Sequence, residues 1–359
     1  MKIDAIIGAR PNFVKISPIV SEARRHPRIR LRLIHTGQHY DANMSDAFFR
    51  DLQIPEPDIN LKVGARTGPL QISEIMSGLA PIFTDDRPDL VLVVGDVNST
   101  LAAALVAVKL AIPIAHVEAG LRSFDRTMPE EINRILTDAV ADYCFTTEPA
   151  ANENLAREGI GAARIHYVGN VMIDALFGSR DRTATSSIVQ RLGLALRNFA
   201  VLTLHRPSNV DAPDSFGRLL DAIANISREI PVIFPAHPRT RERLHALVDG
   251  GRPIGGIRVV EPLPYIDFIA LMGSSLCVLT DSGGIQEETT ALGVPCLTLR
   301  TTTERPITVT QGTNRIVGLD ADRIAAAWGS LRRGDWPKGH LPELWDGGTS
   351  RRIIATLTR

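Results

Sequence analysis

Short runs of apolar residues alternate with longer amphipathic segments along almost all of this 359-residue chain. The runs have the length of buried strands, and the segments between them have the apolar spacing of helices that cover a sheet. Such alternation is typical of parallel sheets built from βαβ units. The strands predicted in the first half are 3–7, 31–35, 90–94, 114–117, 143–146 and 165–168. Those predicted in the second half are 199–204, 232–235, 258–260, 276–280 and 296–299.

A polar stretch without a clear strand, residues 178–198, separates the two sets and indicates a domain boundary. We therefore expect an α/β protein of two Rossmann-like, doubly wound domains, residues 1–172 and 173–348. Because such folds bind ligands at the carboxyl ends of their strands, we expect the site in a cleft between the domains. Residues 349–359 are predicted to form a helix that packs back on the first domain.

Charge and cysteine content exclude several classes of protein. The 40 basic and 40 acidic side chains cancel, so no bulk attraction to nucleic acid or to a membrane surface is expected. The three cysteines, Cys144, Cys277 and Cys296, stand singly in apolar runs, as buried thiols in a reducing compartment do. No secretory signal or membrane span is predicted, and we therefore expect a cytoplasmic protein.

The segment 276–288 predicts a strand that ends at Asp281 and passes through Ser282, Gly283 and Gly284 directly into a helix. Glycines let the backbone approach a ligand, a serine can cap the helix and donate its hydroxyl, and the N–H groups of the first turn attract an anion. We expect a ligand that carries phosphate here. The alternative is an ordinary strand-to-helix turn with a capping serine.

Polar residues also follow the strands of the first half. Arg10 comes after the first strand and Lys15 lies about one helical turn further on, so both could face one anion; the alternative is two solvated cations. Asp96 and Glu118 end the third and fourth strands, at the same edge of the sheet, and are predicted to be catalytic; the alternative is a buried salt-bridge role. Glu130 opens a later helix, where one of two adjacent glutamates can be only a partner of the helix dipole.

Two histidines follow strands of the second half. His205 is the better candidate to donate a proton to a leaving phosphate, whereas His237 is an equally good candidate for a structural role. His35 and His39 flank a glycine with no carboxylate to complete a metal set, so no metal site is predicted. Because nicotinamide-binding and triphosphate-binding fingerprints are both missing, we expect no such cofactor. Together these features favour an enzyme that acts on a nucleotide sugar.

A set of motifs spans the chain in one order: 8–11 (Gly-Ala-Arg-Pro) with Lys15, 94–96 (Val-Gly-Asp), 116–122 (His-Val-Glu-Ala-Gly-Leu-Arg), 129–134 (Pro-Glu-Glu-Ile-Asn-Arg), 205–206 (His-Arg), 280–288 (Thr-Asp-Ser-Gly-Gly-Ile-Gln-Glu-Glu) and 303–306 (Thr-Glu-Arg-Pro). On these motifs the chain resembles the non-hydrolysing UDP-N-acetylglucosamine 2-epimerases, of the glycosyltransferase-B architecture, over essentially its whole length. The resemblance implies a homodimer that converts UDP-GlcNAc to UDP-ManNAc reversibly and without a cofactor.

The resemblance also implies roles for individual residues. It places UDP on Arg10, Ser282, Gly283, Gly284 and Arg305, with Glu288 on the ribose, Phe268 near the base, and Lys15 and His237 completing the substrate-binding set. It places Asp96, Glu118, Glu130 and His205 around the sugar. Since the proton at C2 has no neighbouring carbonyl, its removal has to accompany loss of UDP from C1, which gives a neutral glycal. The sequence leaves open which acid is the base.

The chain departs from typical members at three places. Residues 12–14 (Asn-Phe-Val) replace Glu-Ala-Ile, and residues 36–41 with 123–126 are closer to relatives that invert UDP-2,3-diacetamido uronic acids, which makes that sugar an alternative. Pro207 replaces an arginine tied to activation by a second substrate molecule, although Gln38, Arg66 and His237 of the possible allosteric site remain. A hydrolysing epimerase, a retaining glycosyltransferase and a non-catalytic nucleotide-sugar sensor are further alternatives.

Overall fold

The computed structural model describes residues 1–38, 51–64, 66–236, 238–251 and 254–359, and for residues 10, 207, 238 and 239 it describes the backbone alone. These residues form two compact units, Met1–Gly178 together with Glu343–Arg359, and Ser179–Pro342. The expected boundary at residue 172 differs from this division. It falls inside the helix Val171–Gly178, whose buried apolar side chains pack against the first helix of the chain and so belong to the first unit.

The first unit is built around a sheet of parallel strands. The strands are β1 (Lys2–Ile7), β2 (Arg30–His35), β3 (Ile59–Asn60), β4 (Leu90–Val94), β5 (Ile114–Ala119), β6 (Tyr143–Thr146) and β7 (Ile165–Tyr167). The helices are α1 (Arg10–Ala23), α2 (Gly68–Asp85), α3 (Asn98–Lys109), α4 (Pro129–Val140), α5 (Pro149–Arg157) and α6 (Val171–Gly178). The strand order β3-β2-β1-β4-β5-β6-β7 reverses between β1 and β4, which is the switch point of a Rossmann-like sheet.

The second unit repeats this plan. Its strands are β8 (Ala200–Thr203), β9 (Val232–Pro235), β10 (Ile257–Val260), β11 (Cys277–Thr280), β12 (Cys296–Thr298) and β13 (Asn314–Ile316). Its helices are α7 (Arg180–Ala184), α8 (Ile188–Arg191), α9 (Pro207–Val210), α10 (Pro213–Ile226), α11 (Pro238–Asp249), α12 (Tyr265–Ser274), α13 (Gly283–Leu292), α14 (Pro306–Thr310) and α15 (Ala321–Arg332). The order β10-β9-β8-β11-β12-β13 again reverses beside the first strand of the unit.

Strands and helices form where the apolar pattern requires them. Every residue of β4 is buried, because helices cover both faces of a parallel sheet. Helices α1, α4 and α5 each begin with proline in the first turn, where the missing N–H has no intrahelical partner to lose. Within the described residues, every helix is too short or too polar to span a bilayer.

The end of the chain returns to the first unit as helix α16 (Thr349–Leu357), which packs against α1 and α6. The Asp174 carboxylate of α6 accepts hydrogen bonds from the backbone N–H groups of Thr349, at 3.1 Å, and of Ser350, at 2.7 Å. Just before the helix, the buried Trp345 indole donates to the Thr147 carbonyl at 2.9 Å. Residues 343–348, which we expected in the second domain, therefore belong to the first, because Trp345 is buried there.

Candidate active site

Glu118 occupies a strained backbone position at the end of β5. Its φ is +70°, in the left-handed region, and the pairing of β5 with β6 shifts register between Val117 and Ala119. A non-glycine residue in such a conformation costs about 1–3 kcal/mol, and strand irregularities of this kind redirect side chains. The Glu118 side chain is only 2% exposed, and its Oε2 accepts a hydrogen bond from Lys15 Nζ at 2.5 Å. The strain therefore accompanies a buried, ion-paired carboxylate at the strand end.

Contacts at the start of α1 hold Lys15, in the second turn of that helix, beside this carboxylate. Asn12 Oδ1 accepts hydrogen bonds from the N–H groups of Gly8, at 3.2 Å, and Ala9, at 3.0 Å, while its Nδ2 donates to the Val94 carbonyl at 2.8 Å. These bonds join the start of α1 to the end of β4. Lys15 was expected to face an anion together with Arg10, and in the structure its anionic partner is Glu118. Arg10 begins α1, and its side chain is outside the described set.

Asp96 follows β4 and is oriented by an arginine that the sequence did not single out. Its carboxylate, 27% exposed, forms an ion pair with Arg134 Nη1 from α4. Gly95, at φ +70°, lies against the Lys15–Glu118 pair: a Cβ added there would be 3.0 Å from Lys15 Nζ and 3.7 Å from Glu118 Oε2. The carboxyl ends of β4 and β5 thus bring Asp96 and Glu118 to the same edge of the sheet, as predicted.

The two adjacent glutamates at the start of α4 have different environments. Glu131 is buried, accepts two hydrogen bonds from Arg134 at 3.1 and 2.6 Å, and also accepts from the N–H groups of Ser123 and Phe124 at 2.9 Å each. Glu130, by contrast, is exposed in the first helical turn. The structural partner is therefore Glu131, which leaves Glu130 accessible as the third candidate acid.

In the second unit, Asp281 holds the candidate acid His205. His205 Nδ1 lies 2.8 Å from Asp281 Oδ1, and the His205 side chain is 57% exposed. The same buried carboxylate accepts from the Arg206 N–H at 3.0 Å and from Asn209 Nδ2 at 3.0 Å. Burial alone would raise the pKa of Asp281, but its bonds to His205 and to the backbone lower that pKa. An ionised Asp281 requires a proton on Nδ1, so Nε2 is the ring nitrogen available for proton exchange.

The strand-to-helix turn at 281–284 has the predicted shape but a different role for one glycine. Ser282 precedes α13, and its hydroxyl makes no hydrogen bond to the first-turn N–H groups, so it is not the side-chain cap that the sequence allowed. A Cβ at Gly283 would lie 2.5 Å from Glu304 Oε1. Glycine at 283 therefore leaves room for a neighbouring carboxylate of the protein itself, as well as being suited to a ligand.

Buried arginines close to this turn form ion pairs with buried glutamates of the second unit. Arg305 Nε lies 2.5 Å from Glu287 Oε1, and Arg300 Nη2 lies 2.8 Å from Glu304 Oε2. Burial alone would raise the pKa of Glu304, but Arg305, Arg300 and Arg206 lower it well below its usual range. Glu304 is consequently ionised, and an arriving diphosphate would share these guanidinium groups with protein carboxylates.

Two candidate contacts for the nucleoside come from adjacent helices. Burial raises the pKa of Glu288 to about 8, and the Tyr265 hydroxyl donates a hydrogen bond to its Oε1 at 3.2 Å. Phe268 lies three residues after Tyr265 on α12, so the two side chains share one side of that helix. Helices α12 and α13 therefore bring Glu288 and Phe268 into one region.

The remaining candidate residues are Gln38, Arg66 and His237. Gln38 is buried, and its Oε1 accepts from Ser99 N–H at 3.1 Å and from Ser99 Oγ at 2.7 Å, so it secures the start of α3. Arg66 forms a 3.4 Å ion pair with Glu74, and both are exposed. His237 lies outside the described residues, as do His39 and the neighbouring positions 40–50. Within the part of the chain that is described, no three His, Cys, Asp or Glu side chains gather as a metal site.

Comparisons with known proteins agree with the motif analysis. The model of the UDP-N-acetylglucosamine 2-epimerase family matches residues 21–358. The chain belongs to this family. It is similar to the crystal structure of Methanocaldococcus jannaschii UDP-GlcNAc 2-epimerase in complex with UDP-GlcNAc and UDP, with a TM-score of 0.91 and 39% identity over 100% of this chain and 99% of that one.

Two further relatives extend the comparison. The structure of Neisseria meningitidis UDP-GlcNAc 2-epimerase bound to UDP-GlcNAc matches with a TM-score of 0.91 and 30% identity, over 100% of both chains. The UDP-2,3-diacetamido-2,3-dideoxy-D-glucuronate 2-epimerase of Pseudomonas aeruginosa is 41% identical over 99% of this chain and 98% of its own. The predicted resemblance is confirmed. The predicted fold class, two Rossmann-like domains of the glycosyltransferase-B type, is confirmed as well.

Proposed function

We propose that this epimerase interconverts UDP-GlcNAc and UDP-ManNAc by eliminating UDP and adding it back. The observation that carries the proposal is the strained, buried Glu118, ion-paired with Lys15 beside Asp96. Strain of this kind persists where surrounding structure enforces it, and it clusters at active sites. Members of the family whose names specify this reaction align with the whole chain.

The chemistry follows from the weak acidity of the C2 proton. One of the carboxylates Asp96, Glu118 and Glu130 takes that proton while the C1–O bond breaks, so the electron pair of the C–H bond forms the double bond of a glycal and UDP leaves. The protonated acid remains beside the glycal. UDP then returns to C1 and a proton is delivered to the opposite face of C2, which inverts that centre.

Charged and dipolar groups of the second unit would stabilise the departing UDP. We assign the diphosphate to Ser282, Gly283, Gly284 and Arg305, together with Arg10 of the first unit. The N–H groups at the start of α13 and the arginine charge favour the negative charge that develops as the C1–O bond breaks. His205, oriented by Asp281, is the proposed proton donor to the leaving phosphate. Glu288 and Phe268 are assigned to the ribose and the base.

A second candidate substrate is UDP-2,3-diacetamido-2,3-dideoxy-glucuronic acid. The 41% identity to the Pseudomonas aeruginosa relative supports it, as does the likeness of residues 36–41 and 123–126 to such relatives. The C2 chemistry is the same for both sugars, so the same acids would serve. Measuring kcat/KM for both nucleotides under the same conditions distinguishes the candidates.

The experiment that tests the reaction is proton NMR of UDP-GlcNAc incubated with the enzyme in heavy water without an acceptor. We expect UDP-ManNAc with deuterium at C2, and slow leakage of free UDP and glycal. Release of free ManNAc and UDP in equal amounts from the first turnovers would establish a hydrolysing enzyme instead. Turnover that begins only when an acceptor is added would identify a glycosyltransferase, and binding without turnover would identify a sensor.

A further inference from the structure

His116 is a fully buried histidine in β5, two residues before Glu118, for which the proposed mechanism has no use. Both of its ring nitrogens have a partner. Nδ1 lies 2.6 Å from Asp138 Oδ1 of α4, and Nε2 lies 2.8 Å from the carbonyl oxygen of Gly95. The ring therefore connects α4 with the peptide group that precedes Asp96.

The partners determine the charge of this ring. A carbonyl oxygen only accepts hydrogen bonds, so Nε2 has to carry a proton. Asp138 is also an acceptor: its Oδ2 receives the Gly120 N–H at 3.0 Å and lies 2.7 Å from Arg122 Nη2. Both contacts favour the ionised carboxylate, which has no proton to give to His116. Nδ1 therefore also has to donate, and a ring with both nitrogens protonated is an imidazolium cation.

A charged ring also balances the surrounding charges. Arg122, besides contacting Asp138, forms two hydrogen bonds with Glu158 at 2.8 and 2.6 Å. His116 and Arg122 then oppose Asp138 and Glu158, two cations against two anions. Cys144 Sγ contacts the Asp138 carbonyl, and burial raises the pKa of this thiol to about 12, so it stays neutral.

Arg164 is a further cation close to the cluster formed by His116, Arg122, Asp138 and Glu158. Arg164 donates to the backbone carbonyls of Asp138, Ala139 and Ala141 at the end of α4. A cation at a helix C-terminus is matched by the partial negative charge of the helix. Arg164 therefore leaves the balance among the four side chains of the cluster unchanged.

We propose that His116 is a positioning residue, protonated on both ring nitrogens, that holds Gly95 and Asp96 in place beside Glu118. His116 contacts neither Asp96 nor Glu118. It acts through the carbonyl group of Gly95, and Gly95 lies against the Lys15–Glu118 pair. A charge-assisted hydrogen bond to that carbonyl fixes the chain at the point where β4 gives way to Asp96. The catalytic part of this inference rests on the proposed function, whereas the charge of the ring does not.

The charge is tested on the wild-type enzyme by NMR of ¹⁵N-labelled histidine, without substrate. We expect both ring nitrogens of His116 to carry a proton at neutral pH, as their two acceptors require. His35 is the matched control, because it is also buried in the first unit and burial lowers its pKa to about 4, so that one of its ring nitrogens has no proton at neutral pH. A His116 ring with one unprotonated nitrogen at neutral pH overturns the proposal.

The positioning role is tested with His116→Gln, which keeps a donor of similar length but no charge. We expect kcat for UDP-GlcNAc to fall by up to about a hundredfold, as small displacements of reacting groups do, while KM stays within about twofold. The control is His166→Gln in β7, a partly buried histidine that stacks on Tyr143 and should leave kcat unchanged. Asp138→Asn should reproduce the loss and convert His116 to a neutral ring.

The two readouts separate the possible failures. A folded His116→Gln enzyme with wild-type kcat, or with a loss confined to KM, overturns the positioning role. If His116→Gln does not fold, Asp138→Asn together with the wild-type NMR spectrum at neutral pH decides the question. If the wild-type enzyme converts no UDP-sugar, the proposed function fails, and the NMR spectrum still decides the charge of His116.

Discussion

The bond between Asp174 and the start of α16 gives the sharpest stability prediction. Asp174→Ala removes the acceptor of two backbone N–H groups, those of Thr349 and Ser350, and all three residues are buried. Leaving a buried donor without a partner costs about 1–3 kcal/mol, so two such donors give roughly 2–6 kcal/mol. That loss is a large fraction of the roughly 5–15 kcal/mol by which a folded domain is stable. Asp174→Asn keeps one amide oxygen as an acceptor, and we expect about half the loss.

The chain offers a local probe and a matched control for this measurement. Trp345 lies in the same segment, while the other two tryptophans, Trp328 and Trp336, lie in the second unit, so a Trp328→Phe/Trp336→Phe background makes urea unfolding report on the first unit alone. The control is Glu153→Gln in α5 of the same unit, because Glu153 is 69% exposed and its pair with Arg157 is a surface pair that contributes about 0–1 kcal/mol. If Asp174→Ala and Glu153→Gln unfold with equal free energies, the bonds from Asp174 to the start of α16 do not secure it.

Three further predictions concern the site. Asp96→Asn and Glu118→Gln should each lower turnover at least about a hundredfold and leave UDP affinity unchanged in calorimetry, since each removes a proton-transferring carboxylate; near-normal rates in both would make the acids structural. Ser282→Ala and Arg305→Ala should each weaken UDP binding by roughly 1.5–3 kcal/mol per charge-assisted bond, and unchanged affinity in Arg305→Ala would remove that residue from the site. Glu288 has a raised pKa of about 8, so its contribution to the free energy of unfolding is complete below about pH 4.5 and is lost as the pH rises through 8. Glu288→Gln should remove this loss of unfolding free energy as the pH rises. An unchanged dependence of the unfolding free energy on pH would contradict the raised pKa of Glu288.

Much of the fold followed from the apolar pattern, because buried parallel strands are continuous apolar runs. Residues 90–94 are an example, since all five are buried. The short strands β3 and β13 were not predicted, because their sequences, Ile-Asn and Asn-Arg-Ile, contain polar residues and no continuous apolar run. The boundary at residue 172 was misplaced for a different reason: the apolar face of α6 shows that the helix is buried but not which core it joins.

The placement of Asp96, Glu118 and His205 at strand ends was predictable, because each follows an apolar run. The ion pairs that orient them were not, since Arg134 and Asp281 gain their roles from partners distant in sequence. The left-handed backbone of Glu118 left no trace in composition or spacing, because positive φ is a signal only when glycine marks it. The spacing of Glu131 and Arg134 by three residues on one helix was the available clue to their ion pair.

The return of residues 343–359 to the first unit has a consequence for synthesis. During translation the polypeptide grows from its N-terminus, so the whole of Ser179–Pro342 emerges from the ribosome before Trp345 and α16 do. The second unit can therefore complete its core while the first still exposes the surface of α1 and α6 that α16 will cover. Helix α1, which carries Lys15, therefore has its sheet and α6 as neighbours before α16 is made to cover its remaining surface.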